Sequence, residues 1–104
     1  MEDRLTTGEY FSGAEALTRR DLVWGVVRDA PAPDPDHQFV LIEAVLLLTP
    51  HVRERALGAV LVAPVDVVLD QARGLVVQPD LLFIARERQG IIGRHVWGAP
   101  DLVV

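Results

Sequence analysis

The feature that most constrains this fold is a pair of apolar runs between Ala59 and Ala85, joined by the short polar segment 70–74. Both runs are rich in valine and leucine, a composition typical of β-strands. Gly74, which ends the polar segment, can adopt the positive φ that tight turns between strands often require. The stretch therefore predicts a β-hairpin around which the rest of the chain is organised.

The second apolar run contains one acidic residue, Asp80, directly after Pro79. Proline cannot donate a hydrogen bond to a strand ladder, so a bulge or a sheet edge is expected at Pro79. Bulges re-aim side chains and are over-represented beside active sites. An acid at a strand end is also a common solvated turn residue, so both interpretations of Asp80 stay open at this point.

The chain has 104 residues, 50% of them hydrophobic, which predicts a single domain over residues 1–104 with a core of its own. It contains no cysteine, which excludes a disulfide framework, a thiolate metal site and a cysteine nucleophile. No apolar run follows Met1–Arg4, and none approaches the ~20 residues that span a bilayer. We therefore expect a cytoplasmic protein without membrane association.

The basic residues of this chain are unusual in type. The formal net charge is −5, which argues against strong non-specific binding to nucleic acid. All ten basic residues are arginines. Because arginine stays protonated in proteins, it is a poor proton-transfer group. A mechanism that needs a lysine cannot run on this chain alone.

Upstream of the hairpin the sequence predicts two helices and a strand. Thr6 and Glu9 have the spacing of a capping box at the start of a short helix. The segment 21–28 predicts one strand. Asp34 is a good N-cap for a second helix, which is expected from His37 to Leu48. At Thr49–Pro50 the helix either kinks or begins a fresh turn, and residues 51–57 are expected to complete it.

The second helix is apolar nearly all round, which implies burial on several sides. Glu43 is its exception: it either reaches solvent on a polar stripe or faces the same cavity as Asp80. Downstream, Asp101–Val104 predicts another strand, in which the chain stops. We expect such a strand to indicate truncation, or a terminus that a partner protects.

Three segments of the chain carry a family resemblance. APVDVVLD (63–70), VVQPDLLFIARER (76–88) and GAPDLVV (98–104) resemble, in that order and spacing, the Uma-two family of the PD-(D/E)xK nuclease superfamily, which is grouped with restriction endonucleases. Asp21–Gly25 is similar to the family's strand of the form E-L-hydrophobic-x-G, with aspartate in place of glutamate. Asp34–Gln38 is similar to its P-x-x-H-Q helix start. The resemblance covers residues 7–104.

The resemblance implies an α/β (α+β) fold with a restriction-endonuclease-like core, in which a buried helix packs on a mixed or antiparallel sheet of at least three strands. It implies Mg²⁺-dependent hydrolysis of DNA phosphodiesters. Family members carry a strand glutamate directly after the position of Val104 and a lysine on a later helix, and this sequence has neither. We therefore expect a truncated or degenerate member that does not cleave DNA by itself.

The resemblance also assigns the candidate site. Asp80 is the expected catalytic and metal-binding aspartate, and Asp21 is the expected second ligand; hard carboxylate oxygens suit Mg²⁺. His37 is expected to line the cleft, and Arg86 and Arg88 are expected to bind substrate phosphates. A helix first-turn role for His37 and a solvated loop for the two arginines remain open alternatives.

Other polar residues have blander interpretations. Asp101 is expected to be a strand-start acid, Asp66 and Asp70 a solvent-facing pair, and His95 a residue without a metal-binding partner. The competing function is a non-catalytic interaction module that forms a homo-oligomer through the exposed C-terminal strand. An enzyme with unrelated chemistry has little support, since no Gly-rich phosphate loop or nucleophile–base pair is visible.

Overall fold

The computed structural model describes residues 4–13, 20–29 and 34–104, which form a mixed α+β fold with two mostly antiparallel sheets. In chain order the elements are α1 (Thr7–Ser12), β1 (Arg20–Val23), β2 (Val26–Asp29), α2 (Pro35–Glu54), β3 (Gly58–Val62), β4 (Val67–Asp70), β5 (Leu75–Val77), β6 (Leu81–Ala85), a 3-10 helix (Arg86–Ile91), β7 (Val96–Trp97) and β8 (Leu102–Val103). The five-stranded sheet has the order β2-β1-β5-β4-β7, and the three-stranded sheet has the order β3-β6-β8. Within this described part, no helix combines the length and the apolar character needed to span a bilayer.

The predicted hairpin is present, and it is shared between the two sheets. Its inner strands, β4 and β5, pair in the five-stranded sheet across a turn in which Gly74 has φ +75°. Its outer strands, β3 and β6, pair in the three-stranded sheet. The runs break at Pro64 and Pro79, and the Ala63 amide donates to the Asp80 carbonyl at 3.0 Å. The two breaks therefore face each other, and Asp80 lies where the hairpin bends from one sheet into the other.

Buried side chains from both sheets form the core. One cluster joins the two sheets and consists of Val67, Leu82, Ile84 and Val96. A second cluster lies on the five-stranded sheet under α1 and consists of Tyr10, Leu22, Val68 and Val76. The first cluster includes residues of β6 that follow Asp80, so burial of these side chains fixes the start of that strand.

The capping box at the start of α1 is confirmed, with Thr6 and Glu9 each bonding the other's backbone amide. The single strand expected over 21–28 is wrong, because this segment forms the β1–β2 hairpin. Its two turn residues, Trp24 and Gly25, have φ of +50° and +84°. Two positive φ values are typical of the tight turns that match strand twist, but tryptophan is not a usual residue there.

The helix α2 includes the stretch predicted to complete it after Pro50, but it is not buried on several sides. It begins after the Asp34 cap, which accepts from the His37 amide at 2.9 Å, and it continues through Pro50. Val52 is its one buried residue. More than half of the side-chain surface is exposed at five apolar positions: Phe39, Val40, Ile42, Leu46 and Leu47. Glu43 is exposed as well.

The expectation of a buried helix is wrong because a small sheet covers only one side of α2. The most extensive contacts of this helix with another described element are with β3, an edge strand of the three-stranded sheet. An all-round apolar pattern indicates what a helix would gain by burial, but burial also needs a second neighbour. Here the outward face of α2 has no neighbour among the described residues.

We predict that Gly58→Ala destabilises the fold by about 2 kcal/mol or more, because a Cβ at Gly58 would meet the Ile84 carbonyl oxygen at 2.1 Å. Thermal unfolding should show a melting temperature lower by roughly 10 °C. Gly90→Ala is the control, since nothing lies within 4 Å of a Cβ there. Equal melting temperatures for the two variants would contradict the described packing of β3 on β6.

Candidate functional site

Asp80 is held at the junction of α2 with the three-stranded sheet. Its carboxylate Oδ2 lies 3.0 Å from the imidazole Nε2 of His37, and its side chain is 15% exposed while that of His37 is 41% exposed. The Asp80 amide donates to the Val104 carbonyl at 2.9 Å. His37 belongs to the first turn of α2, which the Asp34 cap orients. The two predicted site residues Asp80 and His37 are therefore in contact, and both are partly exposed.

Asp21 lies beside the same bend of the chain. From β1 its Oδ1 accepts a hydrogen bond at 2.8 Å from the amide of Gln78, two residues before Asp80. The Gln78 side-chain amide then donates to Asp66 Oδ1 at 3.0 Å. Asp21 thus has a clear structural role, because it accepts the hydrogen bond of the Gln78 amide at a point where the next residue, Pro79, has no amide hydrogen to donate. The predicted second ligand is near the bend, with one oxygen already engaged.

Asp66 is a residue of this site that the sequence interpretation missed. Its side chain is 22% exposed, so the expectation that it faces solvent is wrong. Its Oδ2 lies 3.8 Å from His95 Nδ1, and the imidazole of His95 stacks on the ring of Phe11 at 3.8 Å between centroids. The residue pattern around Asp66 gave no signal for this, because its partner Gln78 lies 12 positions further along the chain, in the bend after β5.

The pKa of Tyr10 indicates the electrostatic character of this region. Burial, followed by the negative charge of Asp66, raises the pKa of the Tyr10 phenol above its ordinary value, and Asp21 adds to the effect. Asp66 and Asp21 therefore both act on this phenol, while Arg20, whose guanidinium lies 5.0 Å from the ring centroid, opposes them.

The donor set suits Mg²⁺ in type and offers Asp80 as a carboxylate anchor. Mg²⁺ in proteins is commonly bound through one or two carboxylates, with water and substrate phosphates completing its octahedron. Asp80 supplies one such carboxylate, hydrogen-bonded to His37, and Asp21 already accepts a backbone amide. Within residues 4–13, 20–29 and 34–104, no group of three or more His, Asp or Glu residues is arranged to hold a metal ion.

The arginines predicted to bind phosphate lie away from Asp80. Arg86 and Arg88 follow the far end of β6, so the ~3.3 Å rise per strand residue separates Arg86 from Asp80 by roughly 15–20 Å. Arg88 pairs with Asp101 at 3.1 Å and donates to the Ala99 carbonyl at 2.6 Å. Asp80 and the two arginines therefore cannot contact the same phosphate group.

Asp101 closes the other end of β6 and fits the strand-start interpretation. Its Oδ2 accepts from the Ala85 amide at 2.7 Å, and its Oδ1 pairs with Arg88. The hydrogen bond from Ala85, with Arg88 adding to it, holds the pKa of the Asp101 carboxyl below its ordinary value. The Arg88–Asp101 pair links the 3-10 helix to the residue before β8, so Asp101 has a structural role.

A scan against protein-family models gave no match, and a search of curated proteins gave none. The bend formed by residues 78–80 is thus characterised by its own geometry: a partly buried Asp80 paired with His37, and two further carboxylates, Asp21 and Asp66, bonded to Gln78.

We predict that Asp101→Asn makes the fold less sensitive to acid. A carboxyl whose pKa is depressed in the folded state contributes stability above its unfolded pKa, and that contribution is lost as the pH falls through the folded pKa. The melting temperature of the wild type should therefore drop more steeply below about pH 4 than that of the variant. Glu43→Gln, at an exposed acid, should retain the wild-type slope. Parallel curves for wild type and Asp101→Asn would contradict this role.

Proposed function

We propose that this chain is a restriction-endonuclease-like protein, with Asp80 as the carboxylate that anchors a divalent metal. The observation that carries the proposal is the position of Asp80 beside the end of β8. The Asp80 amide donates to the Val104 carbonyl at 2.9 Å, and the Val104 amide donates to the Leu81 carbonyl at 2.8 Å. The family resemblance predicts its acids on paired strands, and these two bonds hold the backbone at Asp80 against the segment that contains β8.

His37 and Asp21 have supporting roles in this proposal. His37 contacts Asp80 at 3.0 Å and orients its carboxylate, as an outer hydrogen bond orients a metal ligand. Asp21 holds the Gln78 amide and so fixes the bend, and its charge favours a cation nearby. When bound, Mg²⁺ supplies stabilisation of the charge that develops on a phosphoryl oxygen.

The same proposal holds that these residues do not hydrolyse DNA unaided. The sequence contains no lysine, and the arginines stay protonated and cannot take a proton from water. Arg86 and Arg88 lie at the opposite end of β6 from Asp80. The chain therefore contributes a metal anchor, while the set that activates water is incomplete.

We predict weak binding of Mg²⁺ or Mn²⁺, in the millimolar range, that Asp80→Asn weakens by about tenfold. Calorimetry with each metal measures it, and Asp36→Asn, which removes an exposed acid next to His37, should bind as the wild type does. Supercoiled plasmid incubated with the chain and Mg²⁺ should stay intact. If Asp80→Asn binds the metal as tightly as the wild type does, Asp80 is not the metal anchor. If the wild type nicks the plasmid and Asp80→Ala does not, the proposal that the chain cannot cleave DNA unaided is wrong.

A second candidate function is a homo-oligomeric interaction module, which the exposed apolar surfaces favour. The five exposed apolar side chains of α2 offer roughly 500 Å² per copy, at roughly 100 Å² each. Two copies would bury roughly 1,000 Å², the lower bound for a specific interface. At the C-terminal strand, β8 forms an edge of its sheet with Leu102 and Val103 about half exposed. We propose that copies associate through β8, with the outer face of α2 as a second contact.

For this candidate we predict a concentration-dependent dimer or larger species by light scattering. Leu102→Asp, on β8, and Leu47→Asp, on α2, should each weaken association by at least about tenfold, because each buries a charge at the interface. Leu69→Asp, at an exposed leucine of β4, is the control and should associate normally. A wild-type chain that stays monomeric at high concentration would rule the module out.

A further inference from the structure

A cavity of about 460 Å³ lies at the turn end of the five-stranded sheet. The segment before α1, the β1–β2 turn and the β4–β5 turn meet there, and the walls include Arg4, Leu5, Trp24 and Arg73. This volume falls within the range of about 300 to 1,000 Å³ for small-molecule sites. Along β5, Gly74 at this end is separated from Gln78 at the bend by roughly 13 Å. The cavity is therefore distinct from the surroundings of Asp80.

Trp24 has an unfavourable conformation that packing does not explain. Its φ is +50°, in the left-handed region, where asparagine, aspartate and glycine are the usual residues of a two-residue hairpin turn. A bulky residue with this φ is an outlier. Trp24 is 45% exposed, so its burial offsets little of the strain. Strained residues concentrate at ligand sites, and Trp24 lines this cavity.

The three segments around the cavity are bonded to one another. The Gly25 amide donates to the Gly74 carbonyl at 2.9 Å, and the Leu5 amide donates to the Gly25 carbonyl. A Cβ at Gly25 would meet the Arg4 Cβ at 2.9 Å, so the approach of these segments requires glycine. These backbone contacts form the cavity in advance of any ligand, which lowers the entropic cost of binding.

Two guanidinium groups give the cavity a positive charge in a protein of net charge −5. No carboxylate of the described residues lies within ion-pair distance of Arg4. The side chain of Arg73 is 77% exposed, and its Nε is 3.9 Å from Asp70, a loose contact that leaves the fork of the guanidinium accessible. Arginine pairs bidentately with phosphate, which it matches in geometry as well as charge.

We propose that this cavity binds a nucleotide, with the base stacked on Trp24 and the phosphate held by Arg4 and Arg73. The indole offers a π-face to any base, so recognition through stacking and charge tolerates different bases. The chemistry is that of a free mononucleotide or of one unit of a single strand. The proposal stands apart from the proposed metal anchor, because it uses none of the residues at the bend.

The test is a calorimetric titration with adenosine monophosphate, adenosine, inorganic phosphate and a single-stranded oligodeoxynucleotide. Adenosine monophosphate should bind at least about tenfold more tightly than adenosine or phosphate alone, since only it engages both the ring and the guanidinium groups. Tighter binding of the oligonucleotide per site would identify a strand as the natural ligand. Tighter binding of the mononucleotide would identify the free form.

Trp24→Asn separates binding from folding. Asparagine is favoured in this turn, so the variant should melt at the same temperature as the wild type or higher, yet bind adenosine monophosphate at least about tenfold more weakly. Arg4→Gln and Arg73→Gln should each weaken binding, while Arg94→Gln, at an exposed arginine outside the cavity, should not. The proposal is overturned if Trp24→Asn or both cavity arginine variants bind normally, or if adenosine monophosphate does not bind saturably.

Discussion

The bend in the long hairpin is the constraint on which the rest of this structure depends. Pro64 and Pro79 each interrupt an apolar run, and the bond from Ala63 to Asp80 sets the two interruptions opposite each other. Because neither proline can donate to a ladder, the hairpin cannot continue as one flat ribbon and divides between two sheets. The buried cluster that joins the sheets then forms on the inner side of the bend.

The bend also separates the chemistry of the molecule into two ends. At the bend lie three carboxylates, Asp21, Asp66 and Asp80, and the first two add to the effect of burial that raises the pKa of Tyr10. At the turn end of the same sheet, Arg4 and Arg73 supply positive charge beside an exposed aromatic ring. Carboxylates therefore gather at the bend and guanidinium groups at the turn end, a separation that the net charge alone does not show.

The features predicted correctly from sequence were the local ones. The positive φ of Gly74, the break at Pro79 and the Thr6–Glu9 capping box depend on residues close together in the chain. The β1–β2 turn was missed because Trp24 occupies a position that turn statistics give to asparagine. The partial burial of Asp66 was missed because its partner Gln78 lies in the bend, 12 positions further along the chain.

The wrong expectation that α2 is buried on several sides has a different origin from the two missed features above. Its apolar residues lie on a face that is exposed. Apolar periodicity reports the preference of a helix for burial, whereas the neighbours available decide whether burial occurs. The prediction of the candidate site failed in part for a similar reason, since a motif does not give distances between residues. Asp80 and His37 were predicted together and are in contact, but Arg86 and Arg88 were grouped with them by motif while β6 holds them apart.

The measurement that tests the central claim most directly is the paramagnetic broadening of backbone amide signals by low concentrations of Mn²⁺. If Asp80 anchors a divalent metal at the bend, broadening should be strongest at Asp80, at His37 and at the end of β8, and it should be weak around Arg4 and Trp24. Broadening centred instead on exposed acids such as Glu43, with the bend unaffected, would contradict the account.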